Sequence, residues 1–177
     1  MKIEKTIIEG AYIIYTDIYF DERGYFTETY NQNKFNEIIP NIKFVQDNQS
    51  QSTKNVLRGL HFQNAPNEQS KLVRCIEGKV LDVAVDLRKD STSYGKYITV
   101  ELEENTGKQF FIPKGCAHGF LVLSDVATFQ YKVDEYWHPE SEDGINPFSS
   151  SLNINWGISK EEAIMTEKDK NRKEFHE

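Results

Sequence analysis

Side chains that can handle protons and anions are concentrated between residues 56 and 71, which read VLRGLHFQNAPNEQSK. Arg58 and His61 alternate there with apolar residues, and Lys71 ends the segment. A strand that packs on a core normally keeps apolar side chains on its inner face. Arginine and histidine within such a strand indicate that it faces a ligand, so we take this segment as the first part of a candidate site.

The residue types favour acid/base chemistry at a carbonyl compound. His61 and Tyr131 are candidate proton carriers, and Arg23, Arg58 and Lys71 suit an anion such as a phosphate or an enolate oxygen. Proton abstraction next to a carbonyl needs a base, a cation or donor at the oxygen, and an acid that returns the proton. On these residues alone a ligand-binding barrel without catalysis stays open, because a lone histidine or tyrosine in a strand is more often structural.

Other chemistries lack their signals in this sequence. There is no GxSxG motif and no glycine-rich phosphate loop. His61 is followed by Phe62 and Gln63, so the His-X-His pair of many metal sites is missing, and we expect no metal and no cofactor. Cys75 and Cys116 have no further cysteine or nearby histidine to complete a zinc site, which predicts buried free thiols and a cytoplasmic protein.

Length and charge exclude further classes. The 177 residues predict one domain over 1–177, and the net charge of -7 without a basic stripe argues against a nucleic-acid partner. No apolar run approaches the roughly 20 residues that span a bilayer, and the acidic N-terminus is unlike a signal peptide. We therefore expect no membrane partner.

Short alternating stretches predict the strands that hold these side chains. The clearest is Lys79 to Arg88, with Leu81 and Val83 on one face and Asp82 and Ala84 on the other. Further strands are predicted in 7–19, after Gly24, and in 41–52, 97–102, 109–112, 119–123 and 127–133. Some nine or ten short strands separated by turns favour an antiparallel sandwich or barrel of the jelly-roll kind.

Helix is predicted only at the margins. A short helix over Asn33–Ile39 would be capped by Asn33 and ended by Pro40. The charged C-terminal part from Ile158 could be partly helical, with Ser159 and Glu162 at capping-box spacing. On composition alone this part reads as a solvated tail.

Gly107, Pro113, Gly115 and His118 have the spacing of the second motif of the cupin barrel, which this stretch resembles. The resemblance implies an all-β, cupin-type double-stranded β-helix, a jelly-roll barrel with a few short peripheral helices. His118 would point into the mouth of that barrel. Without a His-X-His pair, an organic site is the better inference.

A longer resemblance is to the dTDP-4-dehydrorhamnose 3,5-epimerase family, the cofactor-free cupin epimerases of nucleotide-sugar pathways. The matching stretches are FDERGYFTE (20–28), FVQDNQS (44–50), LRGLHFQ (57–63), the run 71–96, IPKGCAHGFLVL (112–123), YKVDEYW (131–137), PESEDGI (139–145) and TEKD (166–169). The resemblance implies a homodimer that converts dTDP-4-dehydro-6-deoxy-D-glucose to dTDP-4-dehydro-L-rhamnose, a step of dTDP-rhamnose and cell-surface polysaccharide biosynthesis. Alternatives are inversion at one centre only, another nucleotide, a heptose substrate, or a sugar-nucleotide binding module without catalysis.

The resemblance also implies residue roles. His61 would be the base with Asp169 orienting it, Tyr131 the acid on the opposite face, and Lys71 the support of the enolate oxygen. Arg58 and Arg23 would hold the diphosphate, and Arg23 could reach it from the other subunit. The remaining substrate contacts would be Phe26, Glu28, Gln46 and Asn48 at the nucleoside, Trp137 stacked near the base, and His118, Glu142 and Lys168.

Three positions depart from the family pattern. Cys116 replaces a larger residue after the turn, and Trp156 is followed by Gly157 instead of proline. After Gly144 the chain reads INPFSSS, where the family usually has a Trp-Asn-Asp-Pro run. A change of substrate or stereochemistry could therefore reside in loop 144–151.

Overall fold

The computed structural model describes residues 1–176 and contains two antiparallel sheets, one separate hairpin and two short helices. The six-stranded sheet has the order β1 (Lys2–Lys5), β2 (Tyr12–Tyr15), β10 (Lys108–Ile112), β7 (Lys71–Glu77), β12 (Val126–Val133), β5 (Gln46–Thr53). The five-stranded sheet has the order β13 (Glu142–Gly144), β6 (Leu57–Gln63), β11 (Cys116–Val122), β8 (Lys79–Asp86), β9 (Tyr97–Glu103). The other elements are the hairpin of β3 (Ile18–Asp21) and β4 (Gly24–Thr27), α1 (Gln32–Asn36) and α2 (Glu167–Lys170).

The main core lies between the two sheets. Phe110 and Phe129 of the six-stranded sheet pack against Val80 and Leu102 of the five-stranded sheet, and all four are fully buried. The outer face of the five-stranded sheet carries a second core covered by the C-terminal part of the chain, including Trp156. The jelly-roll prediction is confirmed.

The alternation in the sequence of β8 corresponds to two faces that pack against different cores. Val83 and Val85 pack under the C-terminal part, whereas Val80 and Ala84 face the barrel interior. Both faces are therefore buried, and the polar residue on the interior face, Asp82, is completely enclosed. A carboxylate in that position must be held by polar partners.

Three boundary predictions were wrong. Residues 1–176 form 13 strands where nine or ten were expected, because several of the strands have only three or four residues. Helix α1 begins at Gln32 because Asn31, not Asn33, is its cap: the Asn31 side chain accepts hydrogen bonds from the backbone N–H groups of Asn33 and Lys34. Residues 42–45 form no strand, since Ile42 packs with the buried Phe35 instead of continuing a ladder.

The C-terminal part is not a solvated tail. Ser159 and Glu162 exchange the two capping-box hydrogen bonds, at 2.8 and 3.4 Å, but close only a turn. Farther on, Asp169 and Phe175 are buried, at 3% and 6% exposure. The segment folds back onto the barrel, as the family resemblance implies.

Both cysteines are free and buried, as predicted. Burial raises the pKa of Cys75 to about 11 and that of Cys116 to about 12, so both stay protonated thiols. None of the helices in residues 1–176 is long and apolar enough to cross a bilayer.

Candidate active site

A cavity of about 440 Å³ opens between the two sheets under the C-terminal segment. It brings together side chains from stretches that are far apart in the sequence. The five-stranded sheet contributes Arg58, His61, His118 and Glu142, the six-stranded sheet contributes Asn48, Lys71 and Tyr131, and the C-terminal segment contributes Thr166, Lys168 and Asp169.

His61 is held by a buried carboxylate. Its Nε2 atom lies 2.6 Å from Oδ1 of Asp169 on α2, and the His61 side chain is 36% exposed toward the cavity while Asp169 is 4% exposed. Burial alone would raise the pKa of Asp169, but hydrogen bonds from His61 and from the Gly59 backbone N–H lower it below its usual range. An ionised carboxylate at this distance fixes the tautomer of the imidazole and stabilises its protonated form.

A second histidine–carboxylate pair lies beside the first. His118 is directly opposite His61 in the pairing of β11 with β6, and its Nε2 atom is 2.9 Å from Oδ2 of Asp82. Burial raises the pKa of Asp82 and lowers that of His118, and the nearby Lys71 ammonium also attracts the carboxylate. Within the described residues, no group of three His, Cys, Asp or Glu side chains could hold a metal ion.

Lys71 is a buried cation without a fixed counterion. It begins β7, is 8% exposed, and its ammonium makes no hydrogen bond or ion pair with any residue of the described chain. Burial lowers its pKa to about 8, although Asp82 and Glu142 attract the charge. A desolvated ammonium in a cavity is suited to bind an anionic or developing anionic oxygen.

Tyr131 reaches the cavity from the opposing sheet. Burial raises its pKa, so the phenol is protonated at neutral pH and can donate a proton. The ring packs against Phe129, which stacks on Phe120 with ring centroids 4.1 Å apart. These aromatic rings form the apolar wall of the cavity on that side.

The rim of the cavity is held by charged groups. Arg58 donates from Nε to the Ser52 hydroxyl at 3.0 Å, which leaves most of its guanidinium free to bind an anion. Glu142 accepts from Lys168 and, at 3.0 Å, from the Trp137 indole. Burial alone would raise the pKa of Glu142, but these two hydrogen bonds lower it.

Comparison with known proteins identifies the family. The family model for dTDP-4-dehydrorhamnose 3,5-epimerase matches residues 5–177. This chain belongs to that family. A dTDP-4-dehydrorhamnose 3,5-epimerase from Methanothermobacter thermautotrophicus is 48% identical over 98% of this chain and 94% of its own length.

Two crystal structures show the same epimerase architecture. The dTDP-4-dehydrorhamnose 3,5-epimerase from Elizabethkingia anophelis has a TM-score of 0.94 and 47% identity, covering 99% of this chain and 96% of its own. The dTDP-6-deoxy-D-glucose-3,5-epimerase from Legionella pneumophila, in complex with dTDP-4-keto-L-rhamnose, has a TM-score of 0.93 and 43% identity, covering 98% and 92%. The barrel is therefore the cupin-type fold of this isomerase family.

Five residues that the epimerase resemblance implicates do not line the cavity. Arg23 and Phe26 belong to the β3–β4 hairpin, where Arg23 pairs with Asp21 and is 84% exposed. Glu28, just after the hairpin, pairs with Lys34 at 2.7 Å. At the rim, Gln46 and Trp137 contact each other, with the Trp137 backbone N–H donating to the Gln46 side chain at 3.3 Å.

Sequence reasoning missed three residues that lie in this cavity or contact a residue that lines it. In the sequence, Asp82 appears only as a polar residue within an apolar strand, a pattern that indicates a polar contact inside the protein. Thr166 caps α2 by accepting from the Asp169 backbone N–H at 3.2 Å, and its spacing to Asp169 is a cap signature. Arg172 carried no sequence signal, since its role depends on where the C-terminal segment folds.

Proposed function

We propose that this chain inverts C3 and C5 of dTDP-4-dehydro-6-deoxy-D-glucose to give dTDP-4-dehydro-L-rhamnose, with residues 1–177 acting as one catalytic domain. The observation that supports this proposal is that His61 and Tyr131, the proposed base and acid, line one cavity from two different sheets. His61 with Asp169 lies on the five-stranded side, and Tyr131 lies on the six-stranded side. Inversion needs a proton removed from one face of a carbon and returned to the other.

The proton transfers follow from this arrangement. C3 and C5 both flank the C4 ketone, so removing either proton moves the electron pair onto the C4 oxygen as an enolate. His61 takes the proton, Asp169 stabilises the resulting imidazolium, and Lys71 stabilises the enolate oxygen. Tyr131 returns a proton from the other face, and solvent then restores both groups.

The nucleotide part of the substrate is assigned to the rim. Arg58 and Arg23 hold the diphosphate, because guanidinium groups bind phosphate oxygens in bidentate fashion. The nucleoside contacts are Phe26, Glu28, Gln46 and Asn48, the stacking residue is Trp137, and the remaining substrate contacts are His118, Glu142 and Lys168. The proposed reaction requires no metal or redox cofactor, since every proton carrier is a side chain of the protein.

We infer that the active form is a homodimer. The β3–β4 hairpin exposes four aromatic side chains at 53–70%, namely Tyr19, Phe20, Tyr25 and Phe26. Such an apolar surface favours burial against another chain. A hairpin laid over the partner's cavity would bring Arg23, Phe26 and Glu28 to a substrate that they cannot reach within their own subunit.

Buried free thiols support a cytoplasmic location, where the enzyme would serve dTDP-rhamnose and cell-surface polysaccharide biosynthesis.

Solvent-deuterium incorporation tests the function. The protein is incubated with the 4-keto sugar nucleotide in heavy water, and C3 and C5 are followed by NMR. Deuterium at both carbons, together with the L-configured product, is expected. Deuterium at one carbon would favour a single-centre epimerase, and binding without any exchange would favour a sugar-nucleotide binding module. Parallel reactions with another nucleotide or a heptose test the substrate class, and stoichiometric zinc or iron in active protein would contradict the metal-free mechanism.

A further inference from the structure

Arg172 follows α2 and lies outside the cavity, where it contacts Glu142, a residue of the cavity lining. Its guanidinium donates from Nη2 to Glu142 and from Nη1 to Asp143, both at 3.3 Å, and its side chain is only 11% exposed. The Nε atom is buried and has no hydrogen-bond partner among the residues described. A charge this enclosed is placed by its surroundings and is not a solvated surface group.

The guanidinium lies against the backbone of Gly144. A Cβ atom at Gly144 would lie 2.9 Å from Nε and 3.2 Å from Cζ of Arg172, and 2.6 Å from the Leu60 carbonyl oxygen. Gly144 in turn pairs directly with His61 in the ladder of β13 and β6. Arg172 therefore packs on the strand that borders the catalytic base.

The residues after Arg172 are attached to loop 144–151, the segment that departs from the family pattern. Lys173 bridges to Ile145, and the Glu174 carboxylate accepts from the Asn146 side chain at 2.6 Å. The Phe175 backbone N–H donates to the Ser149 hydroxyl at 3.0 Å. Helix α2 has only four residues and cannot hold its own position, so its placement depends on these contacts.

We propose that Arg172 is a positioning residue. Its guanidinium pairs with both Glu142 and Asp143 and thereby holds the Glu142 carboxylate at the cavity. The same contacts hold α2, which carries Lys168 and Asp169, over His61. The inference rests on the proposed function for its catalytic consequence.

The test compares Arg172→Met with Lys173→Met, which removes an equal charge from the neighbouring exposed residue. In ligand-free protein, side-chain ¹⁵N NMR of His61 reports its tautomer and its hydrogen bond to Asp169 without any turnover. We expect Arg172→Met to weaken that hydrogen bond and to reduce kcat for deuterium incorporation at least about tenfold, with Lys173→Met within about twofold of wild type.

Arg172→Lys keeps one charged contact and the fold, and it should recover part of kcat. Unchanged His61 signals in the folded Arg172→Met variant would overturn the inference, as would a loss of thermal stability with kcat unaffected. A wild-type protein that incorporates no deuterium would refute the proposed function instead, and the NMR comparison would still decide the positioning role.

Discussion

The Nε2 atom of His61 lies 2.6 Å from Oδ1 of Asp169, although 108 residues separate the two in the chain. The carboxylate comes from the C-terminal segment, whose described residues contribute no strand to either sheet. The proposed base therefore depends on a residue that this segment supplies.

Asp169→Asn should reduce kcat for deuterium incorporation by about 10²–10⁴-fold, because an amide neither fixes the same tautomer nor stabilises the imidazolium. Glu167→Gln is the matched control, since Glu167 lies on the same helix but is exposed, and its carboxylate pairs with Lys170 instead of a histidine. Rates are measured at saturating substrate. An Asp169→Asn enzyme as fast as the Glu167→Gln enzyme would exclude Asp169 from the mechanism.

Tyr131→Phe should still exchange the C3 and C5 protons with solvent but should lose inversion at these carbons. The base can still remove a proton and recover deuterium from solvent on the same face, while inversion should fall by about 10²–10⁴-fold without an acid on the other face. The change removes one hydroxyl from a half-buried ring, so packing is preserved. Tyr94→Phe, at a tyrosine packed on Phe175 outside the cavity, is the control. Equal loss of exchange and inversion in Tyr131→Phe would contradict its assignment as the acid.

Much of the fold could be predicted because the strands repeat every two residues. The alternation in 79–88 and 97–102 reflects real faces, and β8 and β9 begin at Lys79 and Tyr97. Short edge pairings such as β1 and β13 could not be predicted. They have three or four residues, too few to establish a period, and they exist only because a neighbouring strand offers a free edge.

The candidate site also has a part that could be predicted from the sequence and a part that could not. The residue types of His61, Lys71 and Tyr131 indicated acid/base chemistry, but only the family resemblance linked them to Asp169. The contacts of Asp82 with His118 and of Arg172 with Glu142 could not be predicted from the sequence. They depend on the register of β8 against β11 and on the path of the C-terminal segment, which are set by the whole fold.

We expect kcat/KM to fall as pH rises above about 8, because Lys71 then loses its proton; this fall is the alkaline limb of the pH profile. Its ammonium is protonated below the pKa of about 8 and loses its charge above it, so support of the enolate oxygen is lost as pH rises. The pKa of Tyr131 is raised and does not produce this limb. Lys71→Arg should shift the limb to higher pH, because arginine keeps its charge. Lys132→Arg, at an ion pair outside the cavity, should leave the limb in place, and a limb unmoved in Lys71→Arg would contradict the assignment.

Lys71→Met should stabilise the protein while abolishing activity. The pKa of about 8 in the folded chain against 10.5 for a free lysine means that the unfolded chain binds the proton more tightly, so burial of the charge opposes folding at pH 7. We expect the free energy of unfolding to rise by about 3 kcal/mol at pH 7, and this gain to shrink as pH rises between 8 and 10.5. Urea unfolding of both proteins at pH 7 and at the upper end of that window measures the difference. A gain that grows with pH would show that Lys71 is not desolvated in solution.

Subunit complementation tests whether Arg23 acts on the partner's substrate. Arg23→Ala and His61→Ala chains are co-expressed with different affinity tags, and the heterodimer is purified. One of its two cavities then has an intact His61 and receives the intact Arg23 of the other chain, so activity should return to about half of wild type. A heterodimer of His61→Ala and Lys71→Ala is the control and should stay inactive, because each cavity carries its own lesion. If Arg23 acted within its own subunit, the first heterodimer would be no more active than the Arg23→Ala homodimer, and the hairpin would have no role in the partner's site.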